Sequence, residues 1–265
     1  VNRSSNRSIF FALAIFSLVG YAGCKSTPPA TDSSTASSSS AGGQTTNACY
    51  NAYYPATATL KKTYKITYSG GGMPSSTYTE SYGNLSSDGF AQKLEFAPTN
   101  AKAGATNVTV ESGVRCQSDG LAIMEYGNLT AGQNLKYKYK TTNSNGISFP
   151  KESEWQVGKK WQMVYDVEGQ MTDAPIEAMK MSPKGTITIN CEILGQESVT
   201  VAAGTYDAFK VAMTFNSNLK MNMMGREMPM NMTFKSQVWF AKDVGMVKNS
   251  ADEFKAVTEL VALTK

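Results

Sequence analysis

Hydrophobic positions repeat with period two along most of the chain. Tyr64, Ile66 and Tyr68 alternate with Lys65 and Thr67. Val108, Val110, Val114 and Cys116 share one parity, and Thr109, Glu111 and Arg115 take the other. Leu135, Tyr137 and Tyr139 alternate with Lys136, Lys138 and Lys140. Ile187, Ile189, Cys191 and Ile193 alternate with Thr186, Thr188, Asn190 and Glu192. Alternation of this kind sets one face on a core and the other in water, which predicts antiparallel strands. Turn residues separate the runs: glycines 70–72, Asp88-Gly89, Asp119-Gly120, Asn145-Gly146 and Gly204. Only residues 174–181 hint at a helical turn.

The longest signal comes late. Val211, Met213, Phe215, Leu219, Met221 and Met223 alternate with Lys210, Thr214, Asn216, Asn218, Lys220 and Asn222. Beyond Gly225, Met228, Met230, Met232, Phe234, Val238 and Phe240 alternate with Asn231, Thr233, Lys235 and Gln237. This predicts one hairpin with arms of about 13 residues, roughly 40 Å each. Usual strands are about half that length. Long antiparallel strands coil, so the expected fold is all-β. It is a single large, strongly curved antiparallel sheet, a half-barrel or barrel, after a disordered tether.

The N-terminus follows a different pattern. Arg3 and Arg7 precede an apolar run from Ile9 to Val19, and Gly20-Tyr21-Ala22-Gly23-Cys24 follows. That order is a secretory signal, and the run is shorter than the about 20 residues that cross a bilayer. Val1 is expected from an alternative start codon. Tyr21-Ala22-Gly23-Cys24 resembles the lipobox of bacterial lipoproteins, usually Leu-Ala-Gly-Cys. The resemblance implies a lipid thioether on Cys24, cleavage before it and acylation of the new N-terminus. An ordinary signal peptide cut near Ala22 or Gly23 is the alternative. Residues 25–48 are Ser, Thr, Ala, Gly and Pro with almost no large apolar side chain, a composition too poor in apolar surface to offset ordering entropy. The expected organisation is a signal over 1–23, a tether over 24–48 and an all-β domain over 49–265. Lys25 after Cys24 lacks the Asp that retains lipoproteins at the inner membrane of many diderms, so an outer-membrane anchor is expected if the organism has one.

Composition narrows the chemistry. The chain has 265 residues, 41% hydrophobic and 17% charged, with net charge +4. Lysines are scattered, so no nucleic-acid patch is present. There is no histidine, which excludes Ser-His-Asp and Cys-His nucleophile systems, His-containing zinc sites and an imidazole pH switch. No nucleophile-elbow, P-loop or dinucleotide motif occurs. Ser148 with Lys151, and Ser217 with Lys220, match Ser-x-x-Lys by chance, because neither opens a helix. Glu152 and Glu154 have strand spacing and read as a solvated face. No enzyme activity and no cofactor are expected. The expected partners are the membrane, through the anchor, and an apolar ligand or envelope protein.

Six methionines lie between Met221 and Met232. Soft thioethers suit Cu(I), so Met221, Met223, Met228, Met230 and Met232 are candidate copper ligands. All five fit the inward parity of the hairpin, which core packing or a deformable apolar pocket also requires.

Glu197 to Val211, with Ala202-Ala203-Gly204-Thr205-Tyr206-Asp207, resembles a family of exported bacterial proteins often called TapB-like. Val157-Gly158-Lys159-Lys160-Trp161 and the run Trp239 to Lys248 resemble two further family motifs. The resemblance spans roughly residues 49–265. It implies an all-β, lipoprotein-carrier-like curved sheet around a hydrophobic interior, with no established activity. Gly204 is expected to relax a tight turn, Asp207 to bond turn amides, and Trp161 and Trp239 to pack.

Export favours one disulfide among Cys49, Cys116 and Cys191, with one thiol left over. Family members similar to this chain carry the openings seen here at Cys49 to Pro55 and Cys116 to Leu121. That resemblance implies a Cys49–Cys116 bridge, with Cys116–Cys191 as the alternative.

Overall fold

Strand β1, Lys61–Tyr68, shows how the alternation becomes a wall: Lys62, Tyr64 and Ile66 are buried while Lys61, Lys65 and Thr67 are exposed. The computed structural model describes residues 49–69, 74–97, 108–124, 128–131, 135–172, 182–223 and 226–265, with backbone alone at 128–131, 135–139, 170–172 and 222–223. The signal, Cys24 and the tether lie outside the described residues, as do the glycines at 70–72, all of 174–181, and Met224 with Gly225.

The same logic builds β2 (Ser76–Gly83), β3 (Gly89–Phe96), β4 (Val108–Gln117), β5 (Gly120–Ile123), β6 (Asn128–Ala131), β7 (Leu135–Gly146) and β8 (Phe149–Pro150). It continues through β9 (Lys160–Thr172), β10 (Ser182–Val201), β11 (Gly204–Met223), β12 (Arg226–Ala241), β13 (Gly245–Ala251) and β14 (Ala256–Thr264). All fourteen belong to one sheet in the order β3-β2-β1-β14-β13-β12-β11-β10-β9-β7-β6-β4-β5-β8. The sheet curls so far that β3, at one end of that order, also pairs with β4 near the other: Phe90 lies opposite Val114 and Leu94 opposite Val110. The expected all-β, strongly curved antiparallel sheet is what forms.

The hairpin arms exceed the expected length: β11 has 20 residues and β12 has 16. Pairing continues through Gly204–Lys210, where the alternation of apolar residues is weak, because β10 runs opposite for its full 20 residues. Gly204, with φ +143°, follows a two-residue turn and closes the β10–β11 hairpin. Tyr206 Oη donates to the carbonyl of Ala203 at 3.0 Å. Asp207 stands within β11 opposite Ser198, so it is a strand residue and not the turn bond its motif suggested.

The register places strand ends into two groups. Tyr68 and Ser76, Phe96 and Val108, Ala131 and Leu135, Thr172 and Ser182, and Met223 and Arg226 mark one end of the wall. The other end receives residues 49–60. There Tyr54 stacks on Phe149 at 4.2 Å and Tyr53 on Trp155 at 4.1 Å. Asn51 Nδ2 donates to Pro150 O at 2.9 Å, and Asp243 N donates to Ala52 O at 2.7 Å. Cys49 is joined to Cys116, Cα to Cα 5.3 Å, tying this plug to β4 across 67 residues. Cys191 is a buried thiol on the inward row of β10. Trp161 is buried and donates Nε1 to Ser148 O at 3.1 Å.

Candidate binding site

The hairpin β11–β12 carries the candidate methionines. Its inward parity holds: Val211, Met213, Phe215, Leu219, Phe234 and Val238 are buried, and Phe215 stacks on Phe234 at 4.3 Å. The register sets Met221 opposite Met228, Leu219 opposite Met230 and Ser217 opposite Met232. Burial fades toward the tip. Met221, Met230 and Met232 are half-buried, and Met228 is 41% exposed. Met223 ends β11 opposite Arg226, and its side chain lies outside the described residues. Met221, Met230 and Met232 thus keep the inward parity with half burial, while Met228 is exposed like Glu227 and Pro229 beside it. β13 pairs with β12 only over Gln237–Ala241, leaving residues 226–236 of β12 with β11 as their ladder partner.

Ser217, also on the inward row, is buried and its hydroxyl has no hydrogen-bond partner. Leaving such a group unmatched among apolar side chains costs about 1–3 kcal/mol. Lys220 lies on the exposed parity three residues on, so Ser217 and Lys220 face opposite sides of the sheet and cannot act together. Ser148 is committed elsewhere, accepting from Ile123 N at 2.6 Å. Glu152 and Glu154 form a single 3-10 turn, not the strand their spacing suggested. Each is ion-paired, Glu152 with Lys242 and Glu154 with Lys159, both at 2.5 Å.

A second cluster was not anticipated from the sequence. Lys62 is only 1% exposed and lies directly opposite Glu80, also buried. Lys62 Nζ donates to Tyr82 Oη at 2.6 Å, and Tyr82 Oη donates to Glu80 Oε1 at 2.5 Å. Gln92 Nε2 donates to the same oxygen at 2.9 Å, while Lys62 Nζ is 3.7 Å from Glu80 Oε2. The ammonium also stands 5.1 Å from the Tyr82 ring centroid and 5.7 Å from that of Tyr54. Burial pushes Lys62 below its ordinary value, against the pull of Glu80. Burial, then the Glu80 charge, pushes the Tyr82 phenol well up. Gly245, with φ +86°, passes so close that a Cβ there would be 2.9 Å from Lys62 Nζ. The signal was present: Lys62 shares parity with Leu60, Tyr64 and Ile66, and Glu80 with Tyr78 and Tyr82. Opposite charges on apolar rows of neighbouring strands predict an inward pair.

The void beside this cluster is about 10 Å³, room for about one water. The side chains around this cluster therefore leave no room for a larger ligand there. A surface hollow of about 270 Å³ lies over Gln162, Asn190 and Ala212, on the parity opposite to buried Met163 and Ile189. Among the described residues, no group of three or more His, Cys, Asp or Glu side chains is placed to hold a metal ion.

The fold and these features define a class: an all-β protein of one curled antiparallel sheet, aromatic-filled at one end and methionine-lined at the other. The chain belongs to the DUF3108-like family, whose model matches residues 66–261. It is similar to a presumed exported protein with YmcC-like fold from Bacteroides fragilis NCTC 9343, at 11% identity and TM-score 0.48, over 81% of this chain and 100% of that one. It is also similar to a presumed lipoprotein from Parabacteroides distasonis ATCC 8503, at 14% identity and TM-score 0.45, over 81% of this chain and 99% of that one. No curated protein matches the chain.

Proposed function

We propose that this protein is a lipid-anchored, non-enzymatic envelope component that holds an apolar ligand against the methionine-lined end of its sheet. One observation carries the reading. Met221, Met228, Met230 and Met232 continue the core-facing row of the hairpin, yet they are half-buried or exposed. Thioether side chains adapt to varied apolar shapes. Attachment through Cys24, an outer-membrane address and a closer TapB-like kinship belong to the same reading and rest on the sequence motifs.

The filled plug favours a second reading, a structural envelope component without a small ligand. Copper is less well supported: along one strand Met228, Met230 and Met232 step by about 6.6 Å, which strings the thioethers along a lip. The test is titration of the purified full chain with N-phenyl-1-naphthylamine, followed by displacement with a fatty acid. Saturable binding that is lost in a Met230→Asp, Met232→Asp variant supports the ligand reading. No probe binding favours the structural reading, and Cu(I) binding that survives fatty-acid displacement favours the metal.

A further inference from the structure

Four large apolar side chains are strongly exposed among the described residues, and three of them stand at the plugged end: Val157 at 62%, Tyr50 at 49% and Leu194 at 45%. Backbone bonds gather them. Gly158 N donates to Ile193 O at 2.8 Å, and Ile193 N donates to Lys159 O at 3.0 Å, so the segments bearing Val157 and Leu194 are joined. Leu194 is the extra residue where the β10–β11 register shifts between Ile193 and Gly195, and it follows Asn190 and Glu192 on the outward parity of β10. Tyr50 Oη donates to Asp243, whose neighbour Lys242 pairs with Glu152 in the turn leading to Val157.

Charge at this end nearly cancels. Lys242 pairs with Glu152, Lys159 with Glu154, and Lys160 with Glu192 at 3.3 Å. Exposed Lys151 and Asp243 offset each other. The face is therefore close to neutral, with Val157, Leu194 and the Tyr50 ring exposed among its ion pairs. That chemistry suits the lipid–water boundary, where apolar side chains insert and aromatic rings with one polar tip settle.

The chain itself brings lipid to this face. Twenty-four residues lie between Cys24 and Cys49, a span of roughly 25–30 Å by the scaling for Gly/Ser-rich sequences. Cys49 is bonded to Cys116 at the plugged end. We infer that the plugged end docks on the bilayer through Tyr50, Val157 and Leu194, which turns the methionine-lined end away from the membrane. This inference rests on the Cys24 anchor of the proposed function, but not on the ligand. Docking through neutral apolar contacts is expected to withstand added salt, which screens exposed charges.

The test uses the full chain purified from membranes, with acylation of the N-terminal peptide verified by mass. Val157→Trp, Leu194→Trp and, at the opposite end, Asn218→Trp each add a reporter. Each is reconstituted in phosphatidylethanolamine–phosphatidylglycerol vesicles with brominated acyl chains, and emission is compared with that of the parent chain. The expected result is loss of the added emission at 157 and 194, none at 218, and no change with salt. Acylated protein quenched at 218, or at none of the three, overturns the docking and leaves the anchor standing. Protein without acyl chains that is still quenched at 157 and 194 supports the docking and removes the anchor. Protein without acyl chains that stays off the vesicles overturns both.

Discussion

The two ends of the sheet obey one alternation rule and reach opposite results. At the plugged end, Tyr54 lies on Phe149, Tyr53 on Trp155, and a buried lysine is held by Glu80 and Tyr82. At the other end, the same inward row of β11 and β12 finishes in methionines that remain partly in water. The difference comes from what lies across from the row. Residues 49–60 supply rings and hydrogen bonds to one end. The hairpin tip extends past the ladder of β13 and has no such cover from it. Alternation decides which way a side chain points; a second segment decides whether it becomes core.

Substitutions separate the ends most sharply at Lys62. Lys62→Met leaves the Glu80 carboxylate buried without its cation, and stability in urea is expected to fall by about 3–5 kcal/mol. Combining it with Glu80→Leu should recover much of that loss, because an apolar pair of similar volume avoids the desolvation cost. A single variant as stable as the parent would break the claim that this end is held by its charged network.

Next in size is the bridge. Cys49→Ser with Cys116→Ser frees a 67-residue separation, and the expected loss in thermal or urea unfolding is roughly 2–4 kcal/mol. Probe binding at the methionine end is expected to stay unchanged. Coupled loss of both would show that the two ends are not independent.

Alkaline titration gives a smaller, signed effect. The phenols of Tyr82, raised well up, and Tyr50, pushed up to about 12 by burial and by Asp243, keep their protons in the folded state while the unfolded chain loses them above pH 10. Their contribution is present below pH 10 and is lost as pH rises through the folded values. Lys62, lowered by burial, has the opposite sign: between its folded value and 10.5 the unfolded chain holds a proton the native state lacks, so stability rises with pH. The Lys62→Met variant should lose that rise and keep the fall above pH 10, as read from unfolding midpoints across pH.

The smallest effect on stability belongs to the tip. Met228→Ser should change stability by less than about 0.5 kcal/mol, as for other exposed positions, while weakening uptake of the apolar probe.

Much of the wall was legible in the sequence. Ile187, Ile189 and Ile193 against Thr188 and Asn190 gave β10 its faces, and the methionine rows gave the hairpin. Strand length was harder to read, because Gly204–Lys210 pairs through backbone bonds to β10 that no alternation announces. The Lys62–Glu80 pair was hidden by the habit of placing charges outward, although both residues fall on apolar rows. The plug was hidden for a different reason: Asn51, Tyr53 and Tyr54 have no period, and their places are set by contacts with residues about a hundred or more positions away. Partial exposure of Met228 could not be read from parity, which carries no information about the neighbouring strand's length.

Photolabelling tests the account at its centre. The full chain is incubated with a diazirine-bearing fatty acid, irradiated and mapped by peptide mass spectrometry. Label concentrated on the peptides spanning Met221 and Met228–Met232, and absent from 49–60, is the predicted result. Label spread evenly over the surface, or none above background, would contradict a ligand-holding role for the methionine-lined end.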